Sequence, residues 1–215
     1  MAERVGLYGK LPSKRDFIAL RLPSGYLEAW EDWLQASVAA SREQLGDRWL
    51  DLFLALPIWR YWLGPAVCGG RAVAGAFMPS VDGVGRYFPL CLCASAGTGP
   101  DIPPPAADPM PLWFETAESA LLRVLDPEFA SEPAALLDEV PDVPANPAAS
   151  LEDQLTAMLR QELLAGHSGE CWFWTLGGGD IMPMVLRYRG LPDPYQFVRF
   201  LGAGATQPAA AAGVR

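Results

Sequence analysis

The chain has 215 residues, 51% of them apolar and 19% charged, enough for one large or two small globular domains with a sizeable core. Its net charge of −9 argues against nucleic-acid binding, which needs a basic footprint. No apolar run is long enough to cross a bilayer, and Met1-Ala2-Glu3-Arg4 leads directly into a strand-like segment, so neither membrane insertion nor a secretory signal is expected.

In chain order, Val5 to Leu11 reads as a short strand and Pro12 to Asp16 as a polar loop. From Ser24 to Leu45 the spacing of Tyr26, Leu27, Trp30, Trp33, Leu34, Val38 and Leu45 predicts an amphipathic helix, with Ser24 as N-cap and Gly46 just past its end. Asp47 is expected to cap a short second helix that stops before Pro57. Ile58 to Leu63 has the aromatic content of a strand, and its three aromatics read as a core layer rather than a cofactor shelf.

The stretch Val67 to Ser95 organises the rest. Arg71–Met78 and Arg86–Ser95 read as two strands, and Pro79 to Gly85 between them is turn chemistry, with Asp82-Gly83 a favoured turn dipeptide. Neither strand alternates cleanly between apolar and polar residues, so helices are expected over both faces. Asp82 and Arg86 are further expected to interact across the turn, or to bond its backbone, and so to fix its shape. A proline-rich connector, Pro100 to Pro105, precedes a helix opened by Asp108-Pro109 and continued by Trp113, Ala117, Leu121 and Val124. Ser131 is a candidate cap for a short helix through Leu137, prolines 141, 144 and 147 interrupt the chain, and Ser150 to Asp153 is a capping-box signature. Glu170–Leu176 and Met184–Tyr188 read as a strand pair around a glycine turn, and Asp193-Pro194 starts a last helix. These elements make a single α+β domain over 1–202, a mainly antiparallel sheet covered on both faces; the Ala- and Gly-rich residues 203–215 are expected to be disordered.

Charge is unevenly placed. Between Pro100 and Ala165 there are thirteen Asp and Glu against two Arg, whereas both lysines, Lys10 and Lys14, stand near the start beside Arg4, Arg15 and Arg21. The acidic stretch reads either as solvated helix faces or as a docking surface for a basic partner. The basic N-terminal loop likewise either only solvates its charges or takes part in a protein contact.

Catalytic chemistry is sparse. Gly9-Lys10 lacks the upstream glycine of a phosphate-binding loop, and Gly-x-Gly-x-x-Gly does not occur. Cys91 and Cys93 share one face of a strand, and His167 and Cys171 lie four apart, but these spacings match no common zinc site. The four cysteines, all in apolar surroundings, are expected to be reduced, buried thiols, which implies the cytoplasm. His167 is the only histidine, so a Ser-His-Asp constellation would have to join it to Ser80 and Asp82.

The loops carry a further pattern. Gly6-Leu7-Tyr8-Gly9-Lys10-Leu11-Pro12-Ser13, Asp16-Phe17 and the tryptophan-bearing first helix resemble the start of the TagF (ImpM) family of type VI secretion system accessory proteins. The match continues through Pro57-x-Trp59-Arg60, Gly69-Gly70-Arg71, the block Met78 to Leu90 and Trp172-Phe173-Trp174-Thr175, with Arg15 standing where the family usually has Gly. The resemblance implies a cytoplasmic, non-enzymatic repressor of the secretion machine, acting after translation, and a forkhead-associated-domain scaffold protein as partner. Lys10, Ser13, Lys14, Arg15, Asp16, Ser80, Asp82, Arg86, Trp172 and Trp174 are the candidate motif and contact residues; no cofactor, metal or catalytic residue is implied. The alternative is a small ligand-sensing or hydrolytic domain built on the Ser80, Asp82 and Arg86 loop.

Overall fold

The computed structural model describes residues 5–96, 101–107, 109–126, 132–143 and 151–203, with the backbone alone for 151–154. The caps expected at Asp108, Ser131 and Ser150, and the tail from residue 204, lie outside the described residues. Among the described residues there are seven strands: β1 (Gly6–Gly9), β2 (Ile18–Leu20), β3 (Trp59–Leu63), β4 (Val73–Met78), β5 (Leu90–Ser95), β6 (Glu170–Thr175) and β7 (Met184–Arg189). They form one antiparallel sheet in the order β2-β1-β5-β4-β3-β6-β7. The centre is the meander β3-β4-β5. An N-terminal hairpin docks β1 on β5, with Tyr8 opposite Cys91. A C-terminal hairpin docks β6 on β3, with Phe173 opposite Tyr61.

The expected α+β architecture is present, and the absence of polar alternation in the central strands has the cause inferred from it. Every residue of β4 and β5 is buried. Val73, Phe77, Cys91 and Cys93 face one layer, whereas Ala74, Ala76, Met78, Leu90, Leu92 and Ala94 face the other. The first layer is aromatic and is closed by α1 (Tyr26–Leu45), α2 (Trp49–Leu54) and a 3-10 turn at Pro194–Arg199. Trp30 stacks on Tyr61 at 4.4 Å, and the Tyr26 and Tyr61 hydroxyls share a hydrogen bond of 2.7 Å. Each fully buried aromatic of this kind contributes roughly 1.5–3 kcal/mol. The second layer is closed by α3 (Pro111–Arg123) and α4 (Pro133–Glu139). There Ala74, Ala76 and Ala94 share a cluster with Ala117 and Ala120 of α3, small side chains that let the helix lie close over β4 and β5. Arg60, otherwise a costly charge in β3, is held by both carboxylate oxygens of Glu118 on α3, at 2.6 and 3.0 Å. The remaining helix, α5 (Leu151–Gly166), leads into β6; Leu164 packs on the second layer, while Leu155, Met158, Leu159 and Leu163 are exposed.

Local differences from the sequence reading have simple causes. The first helix is capped not by Ser24 but by Gly25, in the left-handed region at φ 76°, a conformation serine adopts only at a cost. Asp47 makes no side-chain cap; it sits in a 3-10 turn, Gly46–Arg48, that runs straight into α2. The helix expected from Asp108-Pro109 starts at Pro111, behind Met110 at φ 44°. Asp193 does accept a hydrogen bond from the Tyr195 N–H, but the segment it opens is 3-10 rather than α-helical.

All four cysteines are buried and unpaired. Burial pushes the Cys68 and Cys91 thiols up to about 12, and raises Cys93 and Cys171 as well. At neutral pH the thiolate fraction is therefore negligible, and a thiol-reactive probe is expected to leave all four sites unlabelled until the protein is unfolded. Rapid stoichiometric labelling of the native protein would contradict this placement.

Candidate functional site

Two loops meet at one end of the sheet and are locked together by a single carboxylate. β1 ends at Gly9, where φ is 132° and an added Cβ would strike the carbonyl of Pro89 just before β5. This close approach carries Lys10 beneath the loop that joins β4 to β5. Lys10 is only 4% exposed, and its Nζ donates to Asp82 Oδ2 at 2.5 Å. The same carboxylate accepts from the N–H groups of Val84 and Arg86 and from Arg86 Nε at 2.6 Å. Backbone bonds complete the lock: Gly83 N–H donates to the Lys14 carbonyl at 2.8 Å, and the Arg86 guanidinium donates to the Arg15 carbonyl.

The interaction of Asp82 with Arg86 is thus present, and Lys10 is its unforeseen third member. Burial opposes ionisation of Asp82, but the Lys10 ammonium, the Arg86 N–H and guanidinium and the Val84 N–H outweigh it. Together they hold the carboxyl well below the usual carboxylate range.

The other candidate residues divide into three groups. Ser13, Arg15 and Asp16 are exposed on the loop after β1, with the Asp16 carboxylate 3.7 Å from the Arg86 guanidinium. Lys14 and Arg21 reach across to the acidic segment around α4, pairing with Glu132 at 3.2 Å and Asp138 at 2.6 Å. The basic loop and part of the acidic stretch are therefore partners within one molecule. Trp172 and Trp174 lie apart from this junction, half-buried on β6 in the second layer. Trp174 packs edge-on against Phe114, and Trp172 donates to Glu170 beneath the Arg187 guanidinium.

The hydrolytic constellation is not assembled. Ser80 follows β4 beyond Met78, whereas His167 precedes β6, whose Cys171 pairs with Leu63 and, through it, lies level with Val73. The two residues stand at opposite ends of the sheet. His167 Nδ1 is 3.0 Å from Glu170, and the buried Ser80 hydroxyl has no hydrogen-bond partner among the described residues.

Beside the junction, between α1 and the two loops, is an open cleft of about 690 Å³. Phe17, Val38, Ala39 and Phe88 line its apolar part, and Arg42 and Arg86 stand among its polar lining. Arg86 belongs to the predicted loop. In the sequence Phe17 belongs to the Asp16-Phe17 motif and Val38 to the apolar spacing of α1, but nothing local places α1 against these loops.

The motif-bearing residues Gly6–Phe17 and Met78–Leu90 therefore build one junction of an antiparallel α+β fold, and the comparisons agree with this grouping. Residues 6–140 match the family model described as the TagF N-terminal domain, type VI secretion system-associated. The chain belongs to the TagF family and is a type VI secretion system-associated protein. It is similar to PA0076 from Pseudomonas aeruginosa PAO1, known from a crystal structure, with 34% identity and a TM-score of 0.77 over 98% of this chain and 100% of that one. No curated protein matches the chain significantly.

Proposed function

We propose that this protein is a cytoplasmic, post-translational repressor of the type VI secretion system that acts by binding, not catalysis, and that its partner is the system's forkhead-associated-domain scaffold protein. The observation that carries this reading is the state of the junction. The sequence blocks that mark the family converge on Asp82, and its carboxylate is spent on four donors from Lys10, Val84 and Arg86. A carboxylate held so far below the usual range is a poor proton acceptor, as a general base must not be. What the lock supplies instead is a fixed surface, with Ser13, Arg15, Asp16 and Phe17 displayed on it.

Deleting the gene is expected to raise secretion in cells that carry the machine, and the tagged chain is expected to capture the scaffold from their lysate. Reversing charge with Lys14→Glu and Arg15→Glu together is expected to leave the fold intact, because Arg15 is exposed and the Lys14–Glu132 pair lies at the surface, where such a pair contributes at most about 1 kcal/mol. Its effect belongs in the association rate and salt dependence of scaffold binding. Unchanged secretion on deletion, with no scaffold captured, would refute the reading.

A further inference from the structure

The cleft beside Arg86 has the opposite character from the chain that forms it. The sequence carries 25 acidic residues against 16 lysines and arginines, yet Lys10, Arg42 and Arg86 line this concavity and no carboxylate does. Asp82 lies beneath the cleft and pairs with both Lys10 and Arg86, and the exposed Asp16 carboxylate stands 3.7 Å from Arg86. Arg42 donates to the Tyr87 carbonyl at 3.1 Å and lies 4.1 Å over the Trp49 ring, which fixes the guanidinium while leaving further N–H groups without a described acceptor. Arg86 is anchored through Nε and one terminal nitrogen and keeps the donors of the other. Two pre-positioned guanidiniums therefore face an apolar hollow.

The hollow is also unfilled by the protein's own side chains. Phe17 is 45% exposed although it packs edge-on against Phe88 at 4.9 Å. Ala39, an exposed position on α1, contributes only a methyl group to the opposite wall. An exposed aromatic beside two fixed arginines is the composition in which binding energy concentrates at protein interfaces.

We infer that this cleft binds an extended acidic segment of the partner protein, seating an apolar side chain between Phe17, Val38 and Phe88 and placing flanking carboxylates on Arg42 and Arg86. Charge-assisted hydrogen bonds from the remaining donors of the two guanidiniums fix the register of such a segment. The apolar side chain supplies the burial that surface charge pairs alone do not. The inference rests on the proposed action by protein contact and names the chemistry that the contact recognises.

The test uses the full chain, isotope-labelled, and three synthetic dodecapeptides. One carries a leucine flanked by Asp and Glu, one has Lys in place of the acids, and one keeps the acids but has Ser in place of the leucine. The acidic leucine peptide is expected to shift the amide signals of Phe17, Val38, Arg42, Arg86 and Phe88. Both control peptides are expected to bind about tenfold more weakly or not at all. Ala39→Trp, which fills the hollow from an exposed helical position, and Arg42→Gln are each expected to weaken the peptide and the scaffold about tenfold. Their circular dichroism spectra should match that of the native chain.

Equal binding of the lysine peptide, shifts outside the cleft, or concentration-dependent shifts without peptide (a second copy in the cleft) would each overturn the inference. Capture of the scaffold by the wild type and by Ala39→Trp alike would overturn it while leaving the proposed function standing. Failure of the wild type to capture the scaffold at all would instead refute the reading beneath it.

Discussion

Replacing Asp82 with alanine is expected to lower the melting temperature by roughly 10 °C or more, the largest loss for any single side chain in the loop junction. The reason is what remains. Lys10 is left buried without its counter-ion, and the Val84 and Arg86 N–H groups and Arg86 Nε lose their acceptor. Leaving a buried charge unpaired costs more than the pair contributes when intact. The same carboxylate predicts a pH signature whose sign follows from its depressed pKa. Its contribution is complete above the ordinary Asp value of about 3.9 and is lost as pH falls from there toward the lower folded value. Melting temperatures of the wild type and Asp82→Asn, measured from pH 7 downward, are therefore expected to converge below about pH 4. A constant gap across that range would mean that Asp82 is not held ionised by Lys10 and Arg86.

Gly9→Ala is expected to be the most damaging substitution that adds a single carbon. The position combines a positive φ with a backbone contact, since the new Cβ would meet the Pro89 carbonyl oxygen and the Leu90 Cα. Neither neighbour is a side chain that can swing away. The strained backbone alone costs about 1–3 kcal/mol, and separating β1 from β5 to relieve the clash disturbs the path that buries Lys10. A loss of about 4 kcal/mol in denaturant unfolding, or failure to accumulate as soluble protein, is the expected result. Gly85, at φ 87° with open space around its Cβ position, is the control. Its alanine variant suffers the conformational penalty without the collision and is expected to lose less.

Some of this architecture was legible because single segments state it. The β4–β5 hairpin follows from two apolar runs around Asp82-Gly83, and their covering on both faces follows from the lack of alternation. Asp82 and Arg86 are close in sequence, so their interaction was legible too. Lys10 was not, because a lysine before Leu11-Pro12-Ser13 reads as loop surface until Asp82, 72 positions later, is brought above it. Strand β2 was missed for a related reason. Ile18-Ala19-Leu20 is too short to show a period, and its extended shape is imposed by pairing with β1. The cleft depends on the seating of α1 against two distant loops, which no local pattern encodes.

The sheet order also bears on how the chain acquires its fold. Strands β1, β3, β4 and β6 pair with their immediate successors, whereas β1 must also wait for β5, and β3 for β6 beyond the acidic segment. Contacts of such long sequence separation slow folding, because loop closure is paid before the pairing rewards it. During synthesis the meander can form and take up the earlier β1 on β5 while its other flank is still open. That flank is β3, whose Trp59-Arg60-Tyr61-Trp62-Leu63 is buried throughout in the finished molecule. The family match ends at residue 140, ahead of the hairpin that closes this side. A fragment cut there would present those aromatics on an unpaired edge, the arrangement that recruits strands from other chains. In the whole chain the late hairpin covers that edge, with β6 paired along β3 from Arg60 to Leu63.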